Sequence, residues 1–164
     1  MKDGENYAWF ADNIQKMQDS MFRVSYAILH NYSDCEDAAG SAILAAYQNL
    51  KQLKDRHKFR AWFMRILKNE CYSIIRNRVK ISNEFEDQAI ESDIGVNLDL
   101  HEAIMSLKEE YRIAIVLYHL EGYHIHEIAQ ILDVPTGTVK SYLSRARQAL
   151  KNILSDKEAS YETE

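Results

Sequence analysis

Apolar positions recur three and four residues apart along most of this chain, the period of a helix with one buried face. Phe10, Ile14 and Met17 keep that spacing, as do Met21, Phe22, Ser25, Tyr26 and Leu29. The pattern predicts helix from Tyr7 onward, interrupted at Asn31-Tyr32-Ser33-Asp34. Asp34, Glu36 and Asp37 then load the start of a further helix with negative charge, which suits the positive end of its dipole. Ala38, Ala42, Ile43, Ala46 and Tyr47 carry that helix to about Leu50. A polar loop, Lys51 to Lys58, leads into a long helix from Phe59 to Val79, whose apolar face holds Phe59, Trp62, Phe63, Ile66, Leu67 and Ile74. Glu70 falls on an apolar phase of it, so it must reach a rim, find a cation or take up a proton. Between Ile81 and Leu98 the period is lost. It returns at Asp99, a good helix cap, and predicts helices over Leu100–Leu107, Glu109–Leu120, His124–Leu132 and Thr136–Leu154, followed by a frayed acidic tail.

Composition sharpens this picture. Only 5 Gly and 1 Pro occur in 164 residues, too few turn formers for a sheet protein. The expectation is an all-α fold of two small helical domains, residues 1–80 and 99–155, joined by an acidic flexible linker over 81–98, with a tail over 156–164. Hydrophobic residues make up 46%, enough for a core in each. No apolar run is long enough to span a bilayer. Met1 to Phe10 carries Lys2, Asp3 and Glu5 where a signal peptide needs an apolar stretch, so a cytoplasmic protein is expected. Cys35 and Cys71 lack metal or disulfide spacing and read as free thiols.

The net charge of −5 argues against a nucleic-acid partner until its distribution is considered. Lys51 to Lys80 holds ten Lys/Arg against two acids, Ile81 to Asp99 holds six acids and no Lys or Arg, and Pro135 to Leu154 holds four Lys/Arg and no acid. A merely solvated surface mixes its signs; two basic blocks around an acidic one form an electrostatic footprint.

The second basic block lies in a helix-turn-helix pattern. Gly122 ends one helix and admits a positive φ. Ile125, Ile128 and Leu132 form the buried stripe of the next, and Ala129 is small where a partner helix must approach. Asp133-Val134 turns the chain, and Pro135 suits a first helical turn, where its missing N–H is not needed. The following helix buries Val139, Leu143, Ala146 and Leu150. Its other side carries Gly137, Thr138, Ser141, Ser144, Arg145 and Gln148, flanked by Lys140 and Arg147; Thr136 and Tyr142 complete the candidate DNA-binding set. Small and hydroxyl residues let such a helix enter a major groove, and the cations reach guanine edges or phosphates. The first basic block offers Arg65, Lys68, Asn69, Tyr72 and Arg76 on one helical face, with Lys54, Arg56, His57 and Lys58 at its entrance. Cations interleaved with an aromatic ring and an amide suit unstacked, single-stranded bases.

Three stretches in this order resemble an extracytoplasmic-function (ECF) sigma factor over nearly the whole chain: Asp34-Cys35-Glu36-Asp37-Ala38-Ala39, Phe59 to Asn69, and Val134 to Ser141 with Arg145-Ala146-Arg147. The resemblance implies a region 2 domain and a helix-turn-helix domain of region 4, winged-helix-like kind. It implies that Asp34, Glu36, Asp37, Ser41, Ile43 and Tyr47 meet core RNA polymerase, that the long basic helix contacts the promoter −10 element, and that the last helix reads the −35 element. It further implies that the loop Leu50–Lys58 receives a base flipped from the melted non-template strand, that the acidic linker threads the polymerase cleft, and that an anti-sigma factor, often membrane-anchored, is a partner. Departures from the family pattern stand at Gly40, Ser41 and Ile43, where the family often has Gln, an acid and an aromatic, and at Ser73, His124 and Tyr142.

Catalysis finds no support: there is no Gly-x-Ser-x-Gly, no phosphate loop and no Cys–His signature. No enzyme activity, metal or cofactor is expected. His119, His124 and His126 are close in sequence, but a spacing of two turns His124 and His126 apart on a helix. The alternative is a helix-turn-helix regulator that binds duplex operators as a dimer; a third possibility is a protein whose helices only bind other proteins.

Overall fold

The computed structural model describes residues 2–81 and 98–162, and every element among them is helical. The chain divides into two units, Met1–Ile90 and Glu91–Glu164. The linker expected over 81–98 lies, apart from its end residues, outside the described residues.

The first unit contains α1 (Lys2–Lys16), α2 (Gln18–Leu29), α3 (Tyr32–Gln48) and α4 (Phe59–Ile81), with short 3₁₀ turns at Leu50–Gln52 and Arg56–Lys58 between the last two. The interruption expected at 31–34 is confined to Asn31, whose side-chain oxygen accepts the Asp34 N–H at 2.9 Å and caps α3. Asp34 belongs to the helix and pairs with Arg78 near the end of α4. Ala38, Ala42 and Ala46 repeat every four residues and are wholly buried, so α3 lies close against α4. Phe59, Phe63, Met64, Leu67 and Cys71 form the buried stripe of α4. Trp62 and Ile66, assigned to the same stripe from the spacing, are half-buried beside it, and Glu70 reaches a rim at intermediate exposure.

The second unit contains α5 (Leu98–Met105), α6 (Glu109–Ile115), α7 (Ile125–Leu132) and α8 (Thr136–Glu162). The helix expected to Leu120 widens to π geometry over Val116–Leu120. Arg112 is buried and donates to the carbonyls of Met105 and Leu107 at 3.2 and 3.0 Å, which satisfies the orphan acceptors at the end of α5. No wing follows the last helix among the described residues. Instead α8 runs on past Leu154 to Glu162, where Lys157 pairs with Glu102 at 2.9 Å and lies 3.8 Å from Asp99, both on α5.

Two outcomes test this packing. Gly40 lies in α3, and a Cβ placed on it would meet nothing within 4 Å. Gly40→Ala is therefore expected to stabilise the protein by about 1 kcal/mol in urea unfolding, the difference in helix propensity. Cys35 and Cys71 are free and buried. Burial pushes both thiols up, Cys71 to about 12 with help from the nearby Cys35 and Glu70, while a hydrogen bond with Ser25 partly offsets the rise at Cys35. At pH 8 both are expected to alkylate more slowly in the folded protein than in guanidinium, Cys71 by ~100-fold or more for want of thiolate; comparable rates would show that the α3–α4 seam opens readily.

Candidate nucleic-acid interfaces

The helix-turn-helix is set by backbone geometry at two points. Gly122 adopts φ 72° and closes the π segment, with the Tyr123 N–H donating to the Leu117 carbonyl at 3.0 Å. Asp133 adopts φ 56°, and the Val134 N–H reaches back to the Ala129 carbonyl at 3.1 Å, a Schellman closure that brings α7 to a sharp stop. Asp tolerates this left-handed conformation better than most residues. Ahead of α7, His124 stands at the cap position. The capping contact comes from Glu127, whose carboxylate accepts the His124 N–H at 2.8 Å, half of a capping box.

Ile128, Ala129 and Ile131 form the buried side of α7. The stripe expected from spacing named Leu132, but Leu132 and Ile125 are only half-buried. On α8, Val139, Leu143 and Ala146 are buried and Leu150 half-buried. That roll leaves Thr136, Lys140, Ser141, Ser144, Arg145, Arg147 and Gln148 exposed and Thr138 half-buried. Tyr142 is half-buried, its ring 6.0 Å from Tyr111 of α6, so part of its role is packing. Arg147 lies 5.6 Å over the Tyr118 ring and donates to His119 Nε2 at 3.3 Å. His124 and His126 do not face apart: their rings stack, 5.8 Å between centroids and 6° between planes. Helical spacing misled here because His124 precedes α7 and is extended, at φ −73° and ψ 155°. Both rings border a groove at the start of α8 that also takes in Tyr118, Thr136 and Lys140.

In the first unit, Arg65, Asn69 and Arg76 are exposed along α4, and Tyr72 is half-buried beside them. Lys68, expected on the same open face, is only 7% exposed. It follows Met64 by four residues and precedes Cys71 by three, which rolls it to the buried side. Lys54, Arg56, His57 and Lys58 are all exposed. The Asp55 side chain caps the turn they form, accepting the His57 N–H at 3.0 Å. Arg56 turns toward α1, its guanidinium 4.5 Å over Trp9 and one amino group donating to Asn6 Oδ1 at 2.6 Å. Asn6, Trp9, Gln48, Lys51, Leu53 and Arg56 are among the residues around a groove of about 490 Å³. The α1 wall of that groove carries no sequence signal beyond Trp9 lying next to the apolar stripe at Phe10.

On α3, Glu36, Asp37 and Ser41 are exposed and Ile43 is half-buried. Asp34 is drawn into its pair with Arg78. Tyr47 is 45% exposed and Leu44 58%. Leu44 was not singled out from the sequence. Its signal is the spacing Gly40, Leu44, Tyr47, a second stripe beside the buried alanines. Tyr7 of α1 extends this apolar patch, its ring 6.1 Å from Tyr47.

Known proteins share this arrangement. The family model described as Sigma-70 region 2 matches residues 14–81, and that described as Sigma-70, region 4 matches residues 97–150. The ECF RNA polymerase sigma factor SigW of Bacillus subtilis is 30% identical over 95% of this chain and 94% of its own length. The ECF RNA polymerase sigma-E factor of Escherichia coli K12 is 33% identical over 73% of each chain. The sigma factor RpoE of Bartonella quintana, solved in complex with the anti-sigma factor NepR, superposes with a TM-score of 0.77 at 27% identity, over 89% of this chain and 96% of that one. This chain belongs to the ECF family of RNA polymerase sigma factors. It serves promoter-specific transcription initiation, and the N-terminal half is sigma region 2, not the sensor module an operator-binding dimer requires.

The Arg147 contacts yield a prediction. The His119 pKa lies below the ordinary histidine value, first because of partial burial and second because of the Arg147 charge. Arg147→Ala is expected to raise the His119 midpoint in an NMR titration while leaving it below about 6.5, since burial persists. No movement would show that the two side chains are apart in solution.

Proposed function

We propose that α8 reads duplex −35 DNA, that α4 and the loop before it bind the melted −10 strand, and that α3 seats the protein on core RNA polymerase. The observation that carries this is the roll of α8: burying Val139, Leu143 and Ala146 turns an acid-free row of hydroxyls, amide and cations, from Thr136 to Gln148, to solvent. A helix of that surface suits the major groove. On α4, Arg65, Asn69, Tyr72 and Arg76 form the −10 face, with Lys54, His57 and Lys58 at its entrance; Lys68, being buried, is left out. The groove between the loop and α1 fits a single unstacked base, with apolar walls, amides, two cations and the Asp3 carboxylate around it. The exposed patch of Leu44, Tyr47 and Tyr7, bordered by Glu36 and Asp37, fits a polymerase surface that is apolar with a basic rim.

The acidic segment 81–98 is proposed as the tether between the two readers, supported by its five acids without a Lys or Arg and by family models that end at 81 and resume at 97. The protein performs no chemistry of its own and works in the cytoplasm, where its template and polymerase are; no helix among the described residues is long and apolar enough to cross a membrane. An anti-sigma factor is proposed as its regulator, by analogy with the RpoE–NepR complex, binding where polymerase binds.

Run-off transcription with core polymerase across genomic promoters tests the scheme. Arg145→Ala is expected to lower initiation roughly 10-fold or more at promoters with a −35 element, the loss of about one good base contact, with little effect on polymerase binding. Tyr72→Ala is expected to leave promoter binding intact and slow opening, read by permanganate reactivity of −10 thymines. Promoter binding without polymerase, at two-fold symmetric sites, would instead support operator recognition.

A further inference from the structure

The groove beside the α3–α4 loop has a wall that loop capture of a base does not require. That wall comes from α1, through Asn6 and Trp9, and Arg56 bridges to it from the loop. Arg56 is held twice: its guanidinium lies 4.5 Å over the Trp9 ring, and one amino group donates to Asn6 Oδ1 at 2.6 Å. Trp9 is itself braced edge-on against the buried Phe59 ring, 5.1 Å between centroids.

This clamp fixes the sense of the Asn6 amide. Its oxygen is taken by a cation, so the amino group, with two N–H donors, is the end left for a ligand. An Arg already ordered on an aromatic ring and an amide loses little further freedom when a ligand arrives. We propose that Asn6 is a specificity-determining residue for the single-stranded promoter base taken into this groove. Its amino group donates to an acceptor on the base edge, and Arg56 sets which way the amide faces. The inference rests on the base-capture reading of the loop given above.

The chemistry predicts a direction. An amide pinned in this sense offers donors only. It favours a base edge carrying a carbonyl or ring nitrogen there and penalises one carrying an amino group, because two opposed donors both go unsatisfied. Asn6→Asp keeps the Arg56 contact, now between full charges, so α1 stays seated while the donors become acceptors. The preference should then invert toward amino-bearing edges.

The experiment uses the full chain with core polymerase. Each non-template −10 position is varied over the four bases, and initiation is read by run-off. At one position the wild type is expected to spread its four bases by about 10-fold or more. Asn6→Asp is expected to reorder them there, with adenine and cytosine gaining over guanine and thymine, and to leave the −35 preference unmoved. Asn6→Ala, which lacks both donor and clamp, is expected to flatten the spread. An unchanged base order in both variants at every −10 position overturns the inference. A separate arm isolates the underlying reading: Gln48→Trp fills the groove and is expected to abolish permanganate reactivity of −10 thymines. Normal opening by that variant would remove the base from the groove altogether, whatever Asn6 does.

Discussion

Three alanines set the geometry of the first unit. Ala38, Ala42 and Ala46 are fully buried at intervals of one helical turn, and their lack of bulk lets α3 pack closely against α4, whose own buried stripe includes Phe63, Met64, Leu67 and Cys71. Interiors packed this closely resist small shifts, so the roll of α4 about its axis is fixed. Arg65, Asn69 and Arg76 are exposed as a result. The same contact fixes the other side of α3, where Leu44 and Tyr47 are left without cover. One seam thus sets both the face proposed for nucleic acid and the face proposed for polymerase.

The second unit solves the same problem by turns. A left-handed Asp133 and a Schellman bond stop α7, and Pro135 stands just before α8, its carbonyl accepting the Thr138 and Val139 N–H groups at 3.0 and 3.2 Å. The angle between the two helices follows from those few residues, and Ile128, Ile131, Val139 and Leu143 fill it. Polar groups that could upset this small core are satisfied locally: Arg112 serves two carbonyls at the end of α5, and Glu127 caps α7. The helical period of the proposed reading surface can then run uninterrupted from Thr136.

Most of this was legible in the sequence because helical period, caps and charge blocks are local signals. The order of the helices, the positive φ at Gly122 and the outward side of α8 all follow from residues a few positions apart. Where local signals competed with packing, they were less informative. Lys68 shares a helical face with Arg65 and Tyr72 by counting, yet neighbouring Met64 and Cys71 roll it inward. Leu132 has the right spacing for burial, but Ile131 takes the place, since α8 approaches α7 from a direction that spacing cannot give. His124 was counted as helical when it stands just outside the helix. The contacts of Arg56 with Trp9 and Asn6 join residues far apart along the chain, and no pattern within it announces them.

The length of α8 has a mechanical consequence. Twenty-seven residues of continuous helix make a rod of about 40 Å, with the side chains proposed to read the groove near one end and Lys157 near the other. Lys157 is clasped by Asp99 and Glu102, which lie in the first residues after the stretch that joins the two units. Both contacts are partly exposed ion pairs, so high salt weakens the hold on this end of the helix.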